Sequence, residues 1–244
     1  MSTLNFHLQQ YLYGGFWKVL DWIYPPICAS CGEPGYRLCP DCYEKIRFLR
    51  GKKCQICGRI LNQTATLCNT CQIEPPPFNG FRSLAFYEGV IRDCVHALKY
   101  ENNQSLGDFF SYRLASLISK ENWQLDMVTP VPLSAQRFRE RGYNQSSLLA
   151  KPLAARLKTK FNPFAIRRIR HTPSQVGLSL EERRQNVIGA FQAENALICG
   201  KSVLLVDDVM TTGATMIACA QAVRNAGAKT VYCATLARHL PRNP

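Results

Sequence analysis

Eight cysteines, arranged as four Cys-x-x-Cys pairs between residues 28 and 71, constrain this chain more than any other feature. The pairs are Cys28 and Cys31, Cys39 and Cys42, Cys54 and Cys57, and Cys68 and Cys71. A Cys-x-x-Cys turn brings two thiolates to one ion at about 2.3 Å, and two such turns complete a tetrahedral shell of sulfur. That shell leaves no position for water, so the expected metal is structural Zn2+ at two sites, not a catalytic ion. The stretch has little apolar periodicity and should not fold without its metal. Sequential pairing of the cysteines is the simplest arrangement, and interleaved pairing stays open. A disulfide framework is the competing reading. It belongs to secreted chains, and no basic n-region, apolar core and small-residue cleavage site announce secretion here. A cytoplasmic location is expected. The other cysteines (Cys94, Cys199, Cys219 and Cys233) sit in apolar surroundings and read as small core residues.

Ahead of the cysteines, residues 4–23 place Leu4, Leu8, Leu12, Phe16, Trp17, Leu20 and Ile23 at roughly helical spacing. Polar interruptions rule out a membrane-spanning helix, so an amphipathic helix over residues 1–26 is expected, docked on the protein itself, a partner or a membrane surface. The cysteine module follows over residues 27–74, closed by the stiff run Pro75-Pro76-Pro77. From there the pattern changes. Strands are expected at 81–87, 127–133, 202–206 and 230–236, and helices at 90–98, 145–157 and about 213–225. Residues 159–192 are polar and basic with weak periodicity. Alternating strands and helices predict an α/β domain over residues 78–240, a mainly parallel sheet with helices on both faces.

The most specific segment for function begins at Val203. The apolar run Val203-Leu204-Leu205-Val206 leads into Asp207-Asp208-Val209-Met210-Thr211-Thr212-Gly213-Ala214-Thr215. Open α/β sheets bind ligands at the carboxyl edge of such strands. Two adjacent carboxylates there suit the vicinal hydroxyls of a ribose. Hydroxyls, free amides and the positive end of the next helix make a phosphate cradle. Gly213 lets the backbone approach the anion closely.

A hydrophobic strand, Asp-Asp and Thr-Thr-Gly-x-Thr together resemble the 5-phosphoribosyl-1-pyrophosphate (PRPP) motif of type I phosphoribosyltransferases. More narrowly, the chain is similar to the ComF family of bacterial competence-associated proteins. The shared features are the doubled four-cysteine module, Ala97-Leu98-Lys99-Tyr100, Pro130-Val131-Pro132-Leu133, Arg141-Gly142-Tyr143-Asn144-Gln145, and Gln175 and Leu178 leading into Arg183 and Asn186. The resemblance implies a type I phosphoribosyltransferase fold behind a double zinc ribbon. It implies that Asp207 and Asp208 hold the ribose hydroxyls and that residues Thr211 through Thr215 bind the 5′-phosphate. Arg137 and Arg141, after the second strand, would supply charge to the pyrophosphate. Lys99 would reach the PRPP phosphates, although a lysine at a helix end also complements the helix dipole. Mg2+ would accompany PRPP.

The formal net charge of +13 calls for an anionic partner. Eight thiolates and two zinc ions would lower it only to +9. Residues 137–184 alone hold twelve cations against three anions. Guanidinium groups in this stretch can grip phosphate bidentately. They can equally line a groove for a single strand of nucleic acid. Arg167, Arg168 and Arg170 are the candidates, with Tyr143 and Phe138 for base stacking. His171 reads as a loop residue. The expected function is a PRPP-binding, phosphoribosyltransferase-like protein with a role in DNA uptake through single-stranded DNA, working beside proteins such as a competence helicase. A nucleobase-salvage enzyme and a non-catalytic PRPP sensor that binds nucleic acid are the alternatives.

Overall fold

The computed structural model describes residues 25–61, 65–101, 103–170 and 180–239. The amphipathic segment 4–23, His171, Gln175 and Leu178 lie outside the described residues. In chain order the first elements are α1 (Pro40–Glu44), α2 (Asn69–Ile73), β1 (Gly80–Phe86), α3 (Gly89–Tyr100) and α4 (Gln104–Ile118). Then come β2 (Met127–Pro130), α5 (Ala135–Arg141), α6 (Gln145–Arg156), β3 (Lys160–Phe161) and β4 (Ile166–Arg168). The chain continues through α7 (Leu180–Val187), β5 (Phe191–Ala193), α8 (Asn195–Ile198), β6 (Ser202–Met210), α9 (Ala214–Asn225) and β7 (Thr230–Arg238).

Five strands form a parallel sheet in the order β1-β7-β6-β2-β3, while β4 and β5 make a separate antiparallel pair. Successive residues of a strand face opposite sides, and β6 shows what this does. Leu204 and Val206 enter a core built with α3, α4 and α6. Val203 and Leu205 enter a second core, built with α9 and the β4–β5 pair. Both faces are covered, which is why this strand is continuously apolar.

Several boundaries differ from the sequence reading. Helix α4 has no counterpart in it, because its pattern is not amphipathic: Ser105, Gly107 and Ser111 are buried alongside Phe110 and Leu114. Small residues are needed there. A Cβ on Gly107 would stand 2.6 Å from the Leu148 carbonyl of α6. The second strand stops at Pro130, and the segment after it that carries Arg137 and Arg141 is helix α5, capped by the Ser134 hydroxyl accepting from the Arg137 amide at 3.2 Å. Gly142, with φ of +74°, ends that helix. The strand expected to end at Val206 runs on to Met210.

The two cysteine clusters dock on the sheet separately. The first joins the α3–α4 core through Cys28, Leu38, Cys39, Cys42 and Ile46, and its chain bonds the edge strand β1 (Leu49 amide to Leu84 carbonyl, 3.0 Å; Phe86 amide to Arg47 carbonyl, 3.0 Å). The second is held by two arginines from the sheet, Arg82 (6% exposed) and Arg238 (7% exposed). Arg82 donates to the carbonyls of Cys54 at 3.4 Å and Gln55 at 3.1 Å, and Arg238 to that of Cys57 at 2.6 Å. The Arg82 guanidinium also pairs with Glu121.

Candidate functional site

Strand β2 leads through the short helix α5 into α6, which packs on one face of the sheet, and β6 leads into α9, which packs on the other. The chain thus departs in opposite directions from two adjacent strands, and a crevice opens at their carboxyl ends. Because β2 ends at Pro130, in register with Val206, the next residues of β6 keep only β7 as a ladder partner. Asp207 and Asp208 are these residues. They line a cleft of about 600 Å³ together with Val131–Ser134, α5 residues, Lys99 and the Val209–Met216 segment.

The acids have different surroundings. Asp208 is 4% exposed. Its carboxylate pairs with Lys99 Nζ at 2.7 Å and accepts from Gln145 Nε2 at 3.3 Å. Asp207 is half-buried and accepts from the Ser146 hydroxyl at 2.7 Å and from the Asp208 amide at 2.9 Å. Burial opposes ionisation of both. At Asp208 the Lys99 charge overrides it and holds the carboxyl below its ordinary value. At Asp207 burial and the neighbouring Asp208 charge act together and push the carboxyl well above that value. Burial likewise works against the Lys99 charge, but Asp208 lifts its pKa above that of an ordinary lysine.

Beyond β6, Thr211 and Thr212 turn the chain and Gly213, at φ of +83°, caps α9 from the left-handed region. The Thr212 hydroxyl accepts from the Ala214 amide at 3.3 Å. Residues Thr211 through Thr215 all line the cleft at the positive end of a 12-residue helix, an arrangement suited to an anion. Arg137 and Arg141 of α5 line the same cleft. Arg141 donates to Gln145 Oε1 at 2.8 Å and stacks 5.0 Å from the Tyr100 ring centre.

The basic stretch divides. Arg167 and Arg168 are adjacent on β4 and therefore point to opposite sides. Arg168 lines the cleft against the Phe191 ring, and burial and then nearby Arg137 lower its pKa. Arg167 faces outward and pairs with Glu194 at 3.0 Å. Arg170 donates to the carbonyls of Asn186 and Ile188 at 3.1 and 2.6 Å. Tyr143 is half-buried, its hydroxyl tied to the Leu98 carbonyl at 2.9 Å, whereas Phe138 is 52% exposed. Sequence reasoning did not single out Ser146 or the acid-binding role of Gln145. Their signal was position: both stand in the first turn of a helix directly after the Asn144 cap.

Away from the cleft, Cys28, Cys31, Cys39 and Cys42 form one group and Cys54, Cys57, Cys68 and Cys71 another, each with its sulfurs within 4.8 Å of one another. Pairing is therefore sequential. The Cys31–Cys39 and Cys57–Cys68 sulfurs are 3.6 Å apart. A tetrahedron with metal bonds of about 2.3 Å has edges of about 3.8 Å, so the donors fit zinc. The groups share a design. A glycine with positive φ follows the first pair (Gly32, Gly58), and the first cysteine of the second pair opens a short helix. Burial raises the Cys28 and Cys54 thiols, but backbone amides outweigh it and bring both to about 7. Cys94, Cys219 and Cys233 are fully buried, whereas Cys199 is exposed. Among the described residues no helix is long and apolar enough to cross a membrane.

Known proteins share both parts. Residues 19–72 match the Double zinc ribbon domain and residues 144–243 the Phosphoribosyl transferase domain. DNA utilization protein YhgH of Salmonella typhi is 32% identical over 225 residues, covering 88% of this chain and 98% of the relative. Competence protein F of Haemophilus influenzae is 30% identical, covering 82% and 90%. Competence protein ComFC of Bacillus subtilis is 27% identical over 75% of this chain and 76% of its own. With paired zinc ribbons, a parallel sheet with its cleft at the switch point, and two relatives at 30% identity or more matched over at least 90% of their length, the chain belongs to the ComF family of phosphoribosyltransferase-domain proteins.

Proposed function

We propose that the cleft binds PRPP and that the protein transfers or senses its phosphoribosyl group in DNA uptake or use. One observation carries this reading. A carboxylate pair, a threonine-rich loop at a helix N-terminus and three cations, Lys99, Arg137 and Arg141, share one cleft. Asp207 and Asp208 suit the ribose hydroxyls, the loop from Thr211 to Thr215 the 5′-phosphate, and Arg137 and Arg141 the pyrophosphate. Lys99 serves Asp208 first: it keeps that carboxylate ionised. Arg168 adds a fourth cation at the cleft wall.

In the transfer, a nucleophile such as a base nitrogen forms a bond to C1 of the sugar. The C1–oxygen bond breaks with its electron pair, which leaves on pyrophosphate, and the attacking nitrogen loses its proton to the departing pyrophosphate or to water. Charge develops on the leaving group, so fixed guanidinium groups facing it lower the barrier. Mg2+ arriving with PRPP suits the all-oxygen donors Asp207 and Asp208, and would neutralise phosphate charge.

A second reading, single-stranded DNA binding, is supported by the outward-facing Arg167 and by the names of two relatives, Competence protein F and DNA utilization protein. Both readings meet in one experiment: PRPP consumption and pyrophosphate release, measured with and without single-stranded DNA and across a panel of bases. Release with a base alone supports salvage chemistry, and release only with DNA supports a DNA-coupled enzyme. PRPP binding by calorimetry without turnover leaves a sensor. No binding of PRPP refutes the reading.

A further inference from the structure

Helix α5 and strand β6, which both line the cleft, are joined by one side chain. Gln145 is 4% exposed at the start of α6 and spans from helix α5 to strand β6. Its Oε1 accepts from Arg141 Nη1 at 2.8 Å, and its Nε2 donates to Asp208 Oδ1 at 3.3 Å. Arginine has only donors and an ionised carboxylate only acceptors, so a single amide orientation satisfies both. The other Asp208 oxygen is held by Lys99 at 2.7 Å. Neighbouring bonds keep the unit rigid: Tyr143 ties its hydroxyl to the Leu98 carbonyl at 2.9 Å, and Asn144 donates to the Val131 carbonyl at 3.0 Å. The motifs 97–100 and 141–145, far apart in sequence, thus interlock at the cleft wall.

We propose that Gln145 is a positioning residue that fixes the sugar-binding carboxylate of Asp208 and the phosphate-facing guanidinium of Arg141 relative to each other. The inference rests on reading the cleft as a PRPP site and deepens that reading. The residue acts through its neighbours. Leucine has similar bulk and neither hydrogen bond, so it frees both ends. Glutamate keeps the shape and the acceptor for Arg141 but sets a carboxylate against Asp208. The two substitutions should therefore fail in different ways.

The test uses the full-length, zinc-loaded protein and three ligands measured by calorimetry: PRPP, ribose 5-phosphate and pyrophosphate. Gln145→Leu should weaken ribose 5-phosphate and pyrophosphate alike, by roughly 10-fold each, the effect of one lost charged hydrogen bond. Gln145→Glu should weaken ribose 5-phosphate by roughly 10-fold or more and leave pyrophosphate near wild type. Zinc content and a stoichiometry of about one ligand per chain should be retained in both, because misfolding would lower the stoichiometry and not split the fragments. The inference is overturned if Gln145→Glu weakens both fragments equally or neither, or if Gln145→Leu spares one of them. Wild-type protein that binds none of the three ligands would instead overturn the PRPP reading itself.

Discussion

Replacing Asp208 by asparagine should destabilise the fold, whereas the same change at Asp207 should not, although both should abolish PRPP binding. The Asp208 carboxylate is 4% exposed and stands 2.7 Å from the Lys99 ammonium. Removing one partner of a buried pair costs about 3–5 kcal/mol, because the surviving charge stays in the site uncompensated. Asparagine still offers Lys99 an oxygen, which puts the expected loss near the lower end, about 3 kcal/mol. For a chain of this size each kcal/mol moves Tm by about 2–4 °C, so a fall of roughly 6–12 °C follows. Asp207 differs in sign. Burial, and then the Asp208 charge, raise its carboxyl, so the folded chain holds that proton more tightly than the unfolded one. Its stabilisation is complete below the ordinary carboxylate pKa of about 4 and is lost as pH rises through the elevated folded value. Asparagine removes that loss. Asp207→Asn should therefore melt at or above wild type at neutral pH, with the difference shrinking as pH falls. Scanning calorimetry of the zinc-loaded variants measures this, with PRPP titration alongside. Adding Lys99→Met to Asp208→Asn should restore part of the lost stability, since no unpaired charge remains. The reasoning fails if Asp208→Asn melts with wild type, or if Asp207→Asn falls equally far.

Three further outcomes are expected. Metal analysis should find two zinc ions per chain, and Cys54→Ser should lose one and partly unfold the second ribbon; free-thiol assays showing disulfides would refute the assignment. Gly58→Ala should destabilise the same ribbon by about 1–3 kcal/mol, measured by urea denaturation, because Gly58 has φ of +65° and its Cβ would meet the Phe81 carbonyl at 2.5 Å. In salt titrations, Arg167→Ala with Arg170→Ala should weaken single-stranded DNA binding and flatten the plot of log K against log salt, to which each phosphate contact adds about −0.7. Arg168→Ala should weaken PRPP instead; if all three act alike on DNA and none on PRPP, the division of the basic stretch is wrong.

Much of this protein is dictated locally, and local features could be read from the chain alone. Cysteine spacing predicts four-thiolate knuckles because the ligands of each turn are neighbours in sequence. The run from Val203 to Thr215 carries its own strand, carboxylates, turn and helix start, so it announces a ligand edge without help from the rest of the chain. Features that depend on distant segments stayed hidden. Which cysteine pairs share an ion depends on how two turns approach in space, and the sequential grouping appears only in the folded chain. Helix α4 buries serines and sets a glycine against α6, a pattern without amphipathic periodicity. Arg167 and Arg168 look equivalent as a charge run, yet β4 turns one to solvent and the other to the cleft because strand side chains alternate. The bonds from Lys99 and Gln145 to Asp208 join residues more than sixty positions apart. No local pattern encodes such contacts; they exist because the parallel sheet brings the ends of α3, α6 and β6 to one edge, where burial makes each charge depend on the partner packed against it.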